Sequence, residues 1–285
     1  MNLDPVIDQP MREYDFTNQD FACVKRLIYQ RAGIALAPSR SNMVYTRLVK
    51  RLRETGYSQF KDYLAMLEEN SDSGEWESFV NALTTNLTSF FREAHHFEML
   101  TEHLKRRKPG QTIKIWCSAS STGEEPYSLA MTAVETFDTY TPPVRILATD
   151  IDTNVLATAQ AGIYSMNQLE NFSDTRLKRF FLKGKGSNAA FARIRPELKN
   201  LVAFKQLNLL DRSWPLKGPF DAIFCRNVMI YFDKPTQHQL LDKFAPLLAT
   251  DGLLFVGHSE SFQYNENPFK LLVKTVYELI NKHSR

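Results

Sequence analysis

The sequence predicts a doubly wound α/β domain with a mostly parallel sheet, preceded by a small all-α domain and interrupted by a small antiparallel β insertion. Three observations support this fold class. Residues 15–83 show apolar residues at helical spacing, whereas from about Gln111 short apolar runs alternate with helical stretches. Such alternation is typical of a parallel sheet whose two faces are covered by helices. Residues 180–209 break the alternation with short strand-like runs that follow Gly184 and Gly186.

These observations divide the chain into three segments. Residues 15–83 form the N-terminal helical domain, residues 84–110 a linker helix, and residues 111–285 the α/β domain. We place the β insertion at about residues 177–207. A chain of 285 residues is long enough for one large or two modest domains, which fits this division.

Four helices are predicted in the helical domain from their end signals and apolar spacing. The first has a capping-box pattern at Thr17 and Asp20, and Gly33 ends it. The second opens at Pro38 and ends at Gly56. Apolar residues at helical spacing predict two further helices, over residues 60–67 and 76–83.

The α/β domain is predicted to alternate buried strands with helices. The strands are the apolar runs 113–117, 144–149, 221–225, 253–257 and 273–280. The helices are predicted over residues 125–136, 153–161 and 235–248. The last strand has no room for a crossover helix before it, so we expect it to be antiparallel. In the insertion, residues 191–195 and 201–207 have the pattern of small antiparallel strands, which suits a binding accessory or an ordinary solvent-facing hairpin.

The composition excludes several classes of protein. Hydrophobic residues make up 43% and charged residues 24%, which excludes a disordered chain, a collagen-like repeat and a coiled-coil rod. No apolar stretch approaches the length of a membrane helix, and residues 1–20 lack the apolar core of a secretory signal. Cys23, Cys117 and Cys225 are far apart and odd in number, which favours the reducing cytoplasm over a disulfide framework or a Cys-rich zinc site.

The positive charge is concentrated in the helical domain. Between residues 21 and 53 there are eight Lys or Arg residues and no acid. On the second helix, Arg40, Arg47 and Arg51 lie within about 40° of one another, with Lys50 about 60° to one side. This cationic stripe is either a docking face for an acidic partner or a solvated face. No aromatic stacking platform accompanies it, which disfavours nucleic acid.

Polar residues follow three predicted strands, where an open parallel sheet binds its ligands. The loop after the first strand ends in Glu124 and Glu125, which would repel a phosphate and attract a cation; alternatively they complement the helix dipole. Asp150 ends the second strand and suits the two hydroxyls of a ribose, while one carboxylate there, at 150 or 152, could instead cap the next helix. Arg226 and Asn227 follow the third strand. A nucleoside with a cationic, phosphate-free tail, such as S-adenosylmethionine, fits these groups.

Five sequence blocks make the chain resemble a known family. They are residues 84–93 (TTNLTSFFRE), 120–128 (SSTGEEPYS), 148–152 (ATDID), 220–232 (FDAIFCRNVMIYF) and 251–260 (DGLLFVGHSE). They are similar to the chemotaxis receptor glutamate O-methyltransferases, the CheR family. The resemblance spans nearly the whole chain. It implies an S-adenosylmethionine-dependent methyltransferase fold and the formation of glutamyl methyl esters and S-adenosylhomocysteine on bacterial chemoreceptors.

The resemblance also implies which residues form the site. The family's cofactor-lining positions fall on Asn86, Thr88, Arg92, Glu125, Asp150, Asn208, Leu209, Arg226 and Asn227. Tyr231 and Arg92 would lie near the reacting methyl group and act in catalysis. No metal is expected: the adjacent His95 and His96 cannot both face one ion, and His258 with Ser259 lacks the setting of a hydrolase triad.

The partner expected from the resemblance is the acidic cytoplasmic helical bundle of a chemoreceptor. Arg40, Arg47, Lys50 and Arg51 would then dock it. Members that bind a receptor tail peptide carry a similar insertion with Gly184 and Gly186, but another glycine is common where this chain has Ala189 and Ala190. We expect a cytoplasmic monomer that neither inserts into membranes nor binds nucleic acid. The alternatives are a nucleic-acid methyltransferase, which would need a base-binding motif that is absent, and a non-catalytic cofactor-sensing adaptor.

Overall fold

The computed structural model describes residues 12–108, 110–262 and 268–280. Residues 1–11, part of the stretch that the sequence predicts to lack a secretory signal, lie outside this description. The chain divides into two compact units, one ending at Leu83 and the other beginning at Thr84. None of the helices in the described part combines the length and the apolar character that crossing a bilayer requires.

The first unit is a bundle of four helices. They are α1 (Asn18–Ala32), α2 (Ser41–Thr55), α3 (Phe60–Glu69) and α4 (Glu75–Leu83). The capping box of Thr17 and Asp20 forms as predicted. Gly33 and Gly56 end α1 and α2 in the left-handed conformation, with φ of 68° and 79°. The sequence located these ends because the signals for them are local.

The core of this unit is the apolar stripe of each helix. Val44, Leu48 and Leu52 of α2 are fully buried, which leaves the cations of that helix on its other faces. One cation nevertheless ties the helices together. Arg51 donates to Glu75 of α4 from Nε and Nη2, at 2.8 and 2.7 Å, and Tyr63 of α3 donates to the same carboxylate at 2.8 Å.

The second unit is built on a seven-stranded sheet. Its strands are β1 (Ile113–Cys117), β2 (Val144–Asp150), β6 (Val202–Gln206), β7 (Phe220–Cys225), β8 (Leu248–Val256), β9 (Phe269–Val273) and β10 (Val276–Leu279). Their order is β6-β2-β1-β7-β8-β10-β9, and the first five are parallel while β10 and β9 are antiparallel. The expected antiparallel final strand is therefore confirmed.

Helices cover both faces of this sheet. They are α5 (His95–Lys105), α6 (Glu124–Phe137), α7 (Thr153–Ala161), α8 (Asp174–Phe180), α9 (Pro196–Lys199) and α10 (Lys234–Phe244). The linker helix predicted over residues 84–110 is shorter than expected, because residues 84–94 are not helical and Phe91 and Glu93 have positive φ. Side chains alternate along β1, so Ile115 and Cys117 join one apolar cluster and Trp116 joins another. These two clusters are the two faces of a doubly wound sheet, as the sequence predicts.

A second sheet of three antiparallel strands forms the insertion. Its strands are β3 (Ile163–Ser165), β4 (Phe181–Lys183) and β5 (Phe191–Ile194), in the order β3-β5-β4. Residues 163–165 lie upstream of the range 177–207 in which we placed the insertion. Three residues are too few to show the alternation of a strand, so β3 could not be predicted from the apolar pattern.

Two strand predictions are wrong in detail. Residues 201–207 do not belong to the antiparallel insertion, because β6 pairs in parallel with β2, with Ile146 opposite Val202, and forms an edge of the main sheet. Residues 273–280 are not one strand, because the chain turns at Lys274 and Thr275 between β9 and β10. Both errors concern strand pairing, because the sequence of a short apolar run does not indicate which strand it pairs with or where the chain turns back.

Candidate active site

The candidate site is assembled at the carboxyl ends of β2, β1 and β7, which are neighbours in the sheet. The loop after β1 turns sharply into α6. Gly123 has φ of 101°, and a Cβ there would lie 2.7 Å from the Tyr164 hydroxyl and 2.9 Å from Ala159 Cβ. Only glycine fits this turn, which brings Glu124 and Glu125 to the start of α6.

The two glutamates of that turn have different surroundings. Glu124 is buried and accepts from Thr122 Oγ1 at 2.6 Å and from Gln168 Nε2 at 3.3 Å. Glu125 accepts from Cys117 Sγ at 3.2 Å and pairs with Arg226 at 2.9 Å. Burial raises the pKa of both carboxyl groups, and for Glu125 the neighbouring guanidinium opposes that rise. Glu124 therefore stabilises the loop before α6 through hydrogen bonds, whereas Glu125 pairs with a charged group of the site.

Asp150 lies at the end of β2 and is oriented by backbone amides. Its Oδ2 accepts from Ser121 N at 2.8 Å, and its Oδ1 accepts from Asp152 N at 3.0 Å. The side chain is buried, and this burial raises its pKa to about 6 against the effect of the donated hydrogen bonds.

Asp152 is the carboxylate that caps α7. Its Oδ1 accepts from Asn154 N at 2.9 Å and Val155 N at 3.3 Å. Its Oδ2 accepts from Thr84 Oγ1 at 2.7 Å and from Asn86 Nδ2 at 2.8 Å. The alternative left open for this pair is thus resolved: Asp152 caps the helix and anchors the segment that carries Asn86, and Asp150 has no capping role.

Arg226 joins the loop after β7 to the segment before α5. The residue is 5% exposed. Its Nη1 pairs with Glu125, its Nη2 lies 3.4 Å from Glu93 Oε2, and it donates to the carbonyl of Arg92. Sequence reasoning did not identify Glu93, although Glu93 ends the first of the family-like blocks. The carboxylates of Glu93 and Glu125 thus compensate the charge of the buried Arg226 guanidinium.

The turn after Arg226 is held by Glu260. Asn227 N donates to Glu260 Oε2 at 2.9 Å, and Ile230 N donates to Oε1 at 3.2 Å. Tyr231 ends the turn and is partly exposed. The Glu260 carboxylate accepts from backbone amides, so it does not complete a hydrolase triad with the neighbouring His258 and Ser259.

The remaining predicted site residues are less closely connected. Arg92 Nη1 donates to the Leu87 carbonyl at 3.0 Å, and Thr88 between them is partly buried. Asn208 Oδ1 accepts from Leu210 N at 3.0 Å, and Leu209 is buried. Asn208 and Leu209 follow β6. Leu207, directly after that strand, donates its N–H to the Asp150 carbonyl oxygen at 2.9 Å.

Backbone strain is concentrated at this site. Six non-glycine residues of the described chain have positive φ, and four of them are Phe91, Glu93, Ser121 and Asn227, with φ between 47° and 59°. Such conformations persist only where the surroundings impose them, and they cluster at functional sites.

The site suits a cationic ligand that carries hydroxyl groups. Ser120 Oγ and Arg226 Nε are buried and have no hydrogen-bond partner among the described residues. Asp150 keeps acceptor capacity, and the carboxylates outnumber the cations around it. A ribose and a sulfonium or ammonium group match these properties, so the residues fit S-adenosylmethionine.

His95 and His96 do not form a metal site in this structure. His96 is fully buried, its Nε2 lies 2.8 Å from Thr275 Oγ1, and burial lowers its pKa to about 3. Across residues 12–108, 110–262 and 268–280, no group of three potential ligands is placed to hold a metal ion.

The cationic stripe of the helical unit is less uniform than the sequence suggests. Lys50 is exposed and Arg40 is exposed at the start of α2. Arg47 donates to the Ala82 carbonyl at 3.4 Å. Arg51 is 17% exposed, and Glu75 and Glu54 compensate its charge. Helical spacing placed Arg51 on the stripe, but it could not show that Glu75 approaches from α4.

Comparisons with known proteins show the family of the chain. Residues 19–84 match the family described as CheR methyltransferase, all-alpha domain, and residues 86–277 match CheR methyltransferase, SAM binding domain. The chain is 52% identical over 259 residues to the chemotaxis protein methyltransferase of Escherichia coli (strain K12), covering 91% of this chain and 90% of that one. It is 48% identical over 270 residues to chemotaxis protein methyltransferase 2 of Pseudomonas aeruginosa, covering 93% and 95%. The resemblance read from the sequence is confirmed, and the chain belongs to the CheR methyltransferase family.

Proposed function

We propose that this protein transfers a methyl group from S-adenosylmethionine to glutamate side chains of bacterial chemoreceptors, as part of sensory adaptation in chemotaxis. The products are glutamyl methyl esters and S-adenosylhomocysteine. The observation that carries the proposal is the match of residues 86–277 to the family's SAM binding domain, over a span that contains the whole candidate site. We propose that the protein acts in the cytoplasm and as a monomer.

The residues proposed to hold the cofactor are those that line the strand ends. When bound, S-adenosylmethionine supplies a methyl group on a positively charged sulfur. Asp150 would accept from the ribose hydroxyls, and Glu125 would face the cationic tail. Asn86, Thr88, Arg92, Asn208, Leu209, Arg226 and Asn227 complete the proposed pocket. The pairing of Arg226 with Glu125 and Glu93 supports this assignment, because it leaves the site with net negative charge.

The acceptor needs positioning more than activation. A glutamate with an ordinary pKa near 4.3 is about 99.8% ionised at pH 7, so no general base is required. Arg92 and Tyr231 are the proposed catalytic residues: Arg92 would orient the acceptor, and the Tyr231 ring would lie near the sulfonium, a contact worth roughly 0.5–2 kcal/mol. The bond between Arg92 and the Leu87 carbonyl supports an orienting role, since it restrains the guanidinium.

Receptor docking is proposed for the exposed part of the cationic stripe. The receptor region that is methylated is an acidic helical bundle, as the family resemblance implies. Arg40, just before α2, and Lys50 on α2 are exposed, and Arg47 between them is partly buried. Lys50 lies 3.7 Å from Glu54 but remains 77% exposed, so its charge is accessible to a partner. Arg51 is removed from this role in our proposal, because its side chain is only 17% exposed and donates two hydrogen bonds to Glu75.

A second contact is proposed at the insertion, where an extended receptor peptide would add a strand to an exposed edge. Gly184 does not serve this purpose, because a Cβ there would lie 2.0 Å from the Asn188 carbonyl oxygen, so Gly184 is required by its own turn. A Cβ at Gly186 would meet no atom of the described residues within 4 Å, and φ there is 57°. Titration of a C-terminal receptor peptide against the protein tests this contact, and absence of binding would leave docking to the helical unit alone.

Methyl transfer to receptor-containing membranes tests the central proposal. Radiolabelled S-adenosylmethionine should label the receptor band, and mild alkali should release the label as methanol. A base-resistant label would contradict an ester product. Label on added nucleic acid would indicate a nucleic-acid methyltransferase, and cofactor binding without any label would indicate a cofactor-sensing adaptor.

A further inference from the structure

Glu260 is a buried carboxylate that gathers backbone amides from two separate segments. The residue is 4% exposed. Its Oε2 accepts from Asn227 N at 2.9 Å and from Gly257 N, and its Oε1 accepts from Ile230 N at 3.2 Å. Burial alone disfavours an ionised carboxyl group, whereas these amide bonds favour the ion. The carboxylate is thus directed at the backbone of the turn formed by residues 226–231.

The shape of that turn depends on this arrangement. Asn227 has φ of 59°, which a residue with a side chain rarely adopts without external support. Gly257 lies against it so closely that a Cβ would be 2.3 Å from Asn227 Nδ2 and 2.8 Å from both Asn227 N and Glu260 Oε2. Gly257 and Glu260 together therefore hold the turn in its strained form.

The same segment also reaches the other side of the site. His258 N donates to Glu93 Oε1 at 3.0 Å, and Glu93 Oε2 lies 3.4 Å from Arg226 Nη2. Arg226 in turn donates to the carbonyl of Arg92. Residues 257–260 thus connect the two segments that carry the proposed catalytic residues.

We propose that Glu260 is a positioning residue for methyl transfer: its carboxylate fixes the 226–231 turn and so sets where Asn227 and Tyr231 stand relative to the bound cofactor and the acceptor. The inference rests on the proposed function. It assigns to the last family-like block, residues 251–260, a role that the cofactor and acceptor assignments leave unused.

The substitution Glu260→Gln tests this role with minimal change in shape. A glutamine offers one acceptor oxygen and an NH₂ group, so in either orientation at least one backbone N–H faces another donor. We expect kcat to fall by about 10- to 100-fold, because a shift of the turn misplaces the reacting groups. Affinity for S-adenosylmethionine should fall less, because Glu260 contacts the proposed pocket through the backbone N–H of Asn227, whereas Asp150 and Glu125 are held by other partners.

The assay must separate misplacement of the turn from partial unfolding. Calorimetric titration with S-adenosylmethionine counts the binding-competent molecules, and kcat is then expressed per such molecule at saturating receptor. If Glu260 only contributes stability, this corrected kcat stays at the wild-type value, which would overturn the proposal. Glu278→Gln is the matched control, since Glu278 is paired with Lys270 on the final hairpin and should retain full kcat.

Gly257→Ala gives a second approach if Glu260→Gln does not fold. Its new methyl group would press on both Asn227 and the Glu260 carboxylate, so the corrected kcat should again fall while cofactor affinity changes less. Wild-type kcat per binding-competent molecule in this variant would overturn the proposal. A wild-type protein that binds the cofactor but methylates no receptor would overturn the proposed function itself, and the role of Glu260 with it.

Discussion

Acidification should weaken the binding of S-adenosylmethionine over the pH range in which Asp150 takes up a proton. Asp150 is buried at the end of β2, and this burial raises its pKa to about 6. Its proposed role is to accept hydrogen bonds from two ribose hydroxyls. A protonated carboxyl group loses the charge that makes it a strong acceptor, so the ionised form is the binding form.

The pKa sets the size of the effect. With a pKa of about 6, about 91% of the group is ionised at pH 7 and about 9% at pH 5, so the affinity should fall about tenfold, or about 1.4 kcal/mol. The stability of the cofactor-free protein should change in the opposite direction. Because the folded carboxyl group binds its proton more tightly than the unfolded one, its contribution to stability falls as pH rises from about 4 to 6, by about 3 kcal/mol in total.

Calorimetric titration at pH 7, 6 and 5 tests the effect, with Asp150→Asn as the control. The asparagine variant should bind more weakly at pH 7 and should lose the tenfold dependence, because an amide does not titrate. Burial also raises the pKa values of Glu124 and Glu125. Both residues remain in the asparagine variant, so any pH dependence of its affinity measures their contribution. Equal wild-type affinity at pH 7 and pH 5, or an undiminished tenfold fall in the variant, would refute the reasoning.

Three further variants examine the acceptor proposal, the stability of the helical unit and the docking proposal. Arg92→Ala should lower kcat by about 100-fold through misplacement of the acceptor and affect cofactor affinity less; steady-state kinetics showing the reverse would exclude an orienting role. Arg51→Gln should lower the free energy of unfolding by about 1.5–3 kcal/mol in urea denaturation, since it breaks the bidentate bond to Glu75; unchanged stability would contradict this. Reversing Arg40 and Lys50 together to Glu should raise the KM for receptor at low salt and leave cofactor affinity unchanged, with each exposed charge worth about 0.2–1 kcal/mol. Wild-type receptor kinetics in that double variant, across a salt series, would make the stripe a solvated face.

The features that could be predicted from the sequence are those that local signals determine. Thr17 and Gly33 bound α1 because capping and left-handed termination involve residues a few positions apart. The strand ends that carry Asp150 and Arg226 followed from apolar runs bounded by polar residues. In each case the sequence contains both the signal and its physical cause within a few residues.

The features that could not be predicted depend on distant partners. The partner strand of β6 is β2, and no pattern within residues 202–206 distinguishes a sheet edge from a hairpin. Arg51 looked free because Glu75 approaches it from another helix. Glu93 and Glu260 contact their targets across 133 and 33 residues of sequence, so their roles emerge only when the segments are folded together.

The distribution of charge in the site bears on how the reaction is accelerated. In the proposed step a carboxylate and a sulfonium lose their charges, so a cation that paired tightly with the acceptor would stabilise the reactants more than the transition state. The buried side chain of Arg226 is paired with Glu125 and Glu93, so it is not available to neutralise the acceptor. Arg92 is restrained through the Leu87 carbonyl. Both arginines among the proposed site residues are therefore engaged by the protein itself, which favours catalysis by orientation and exclusion of water over catalysis by neutralising the acceptor.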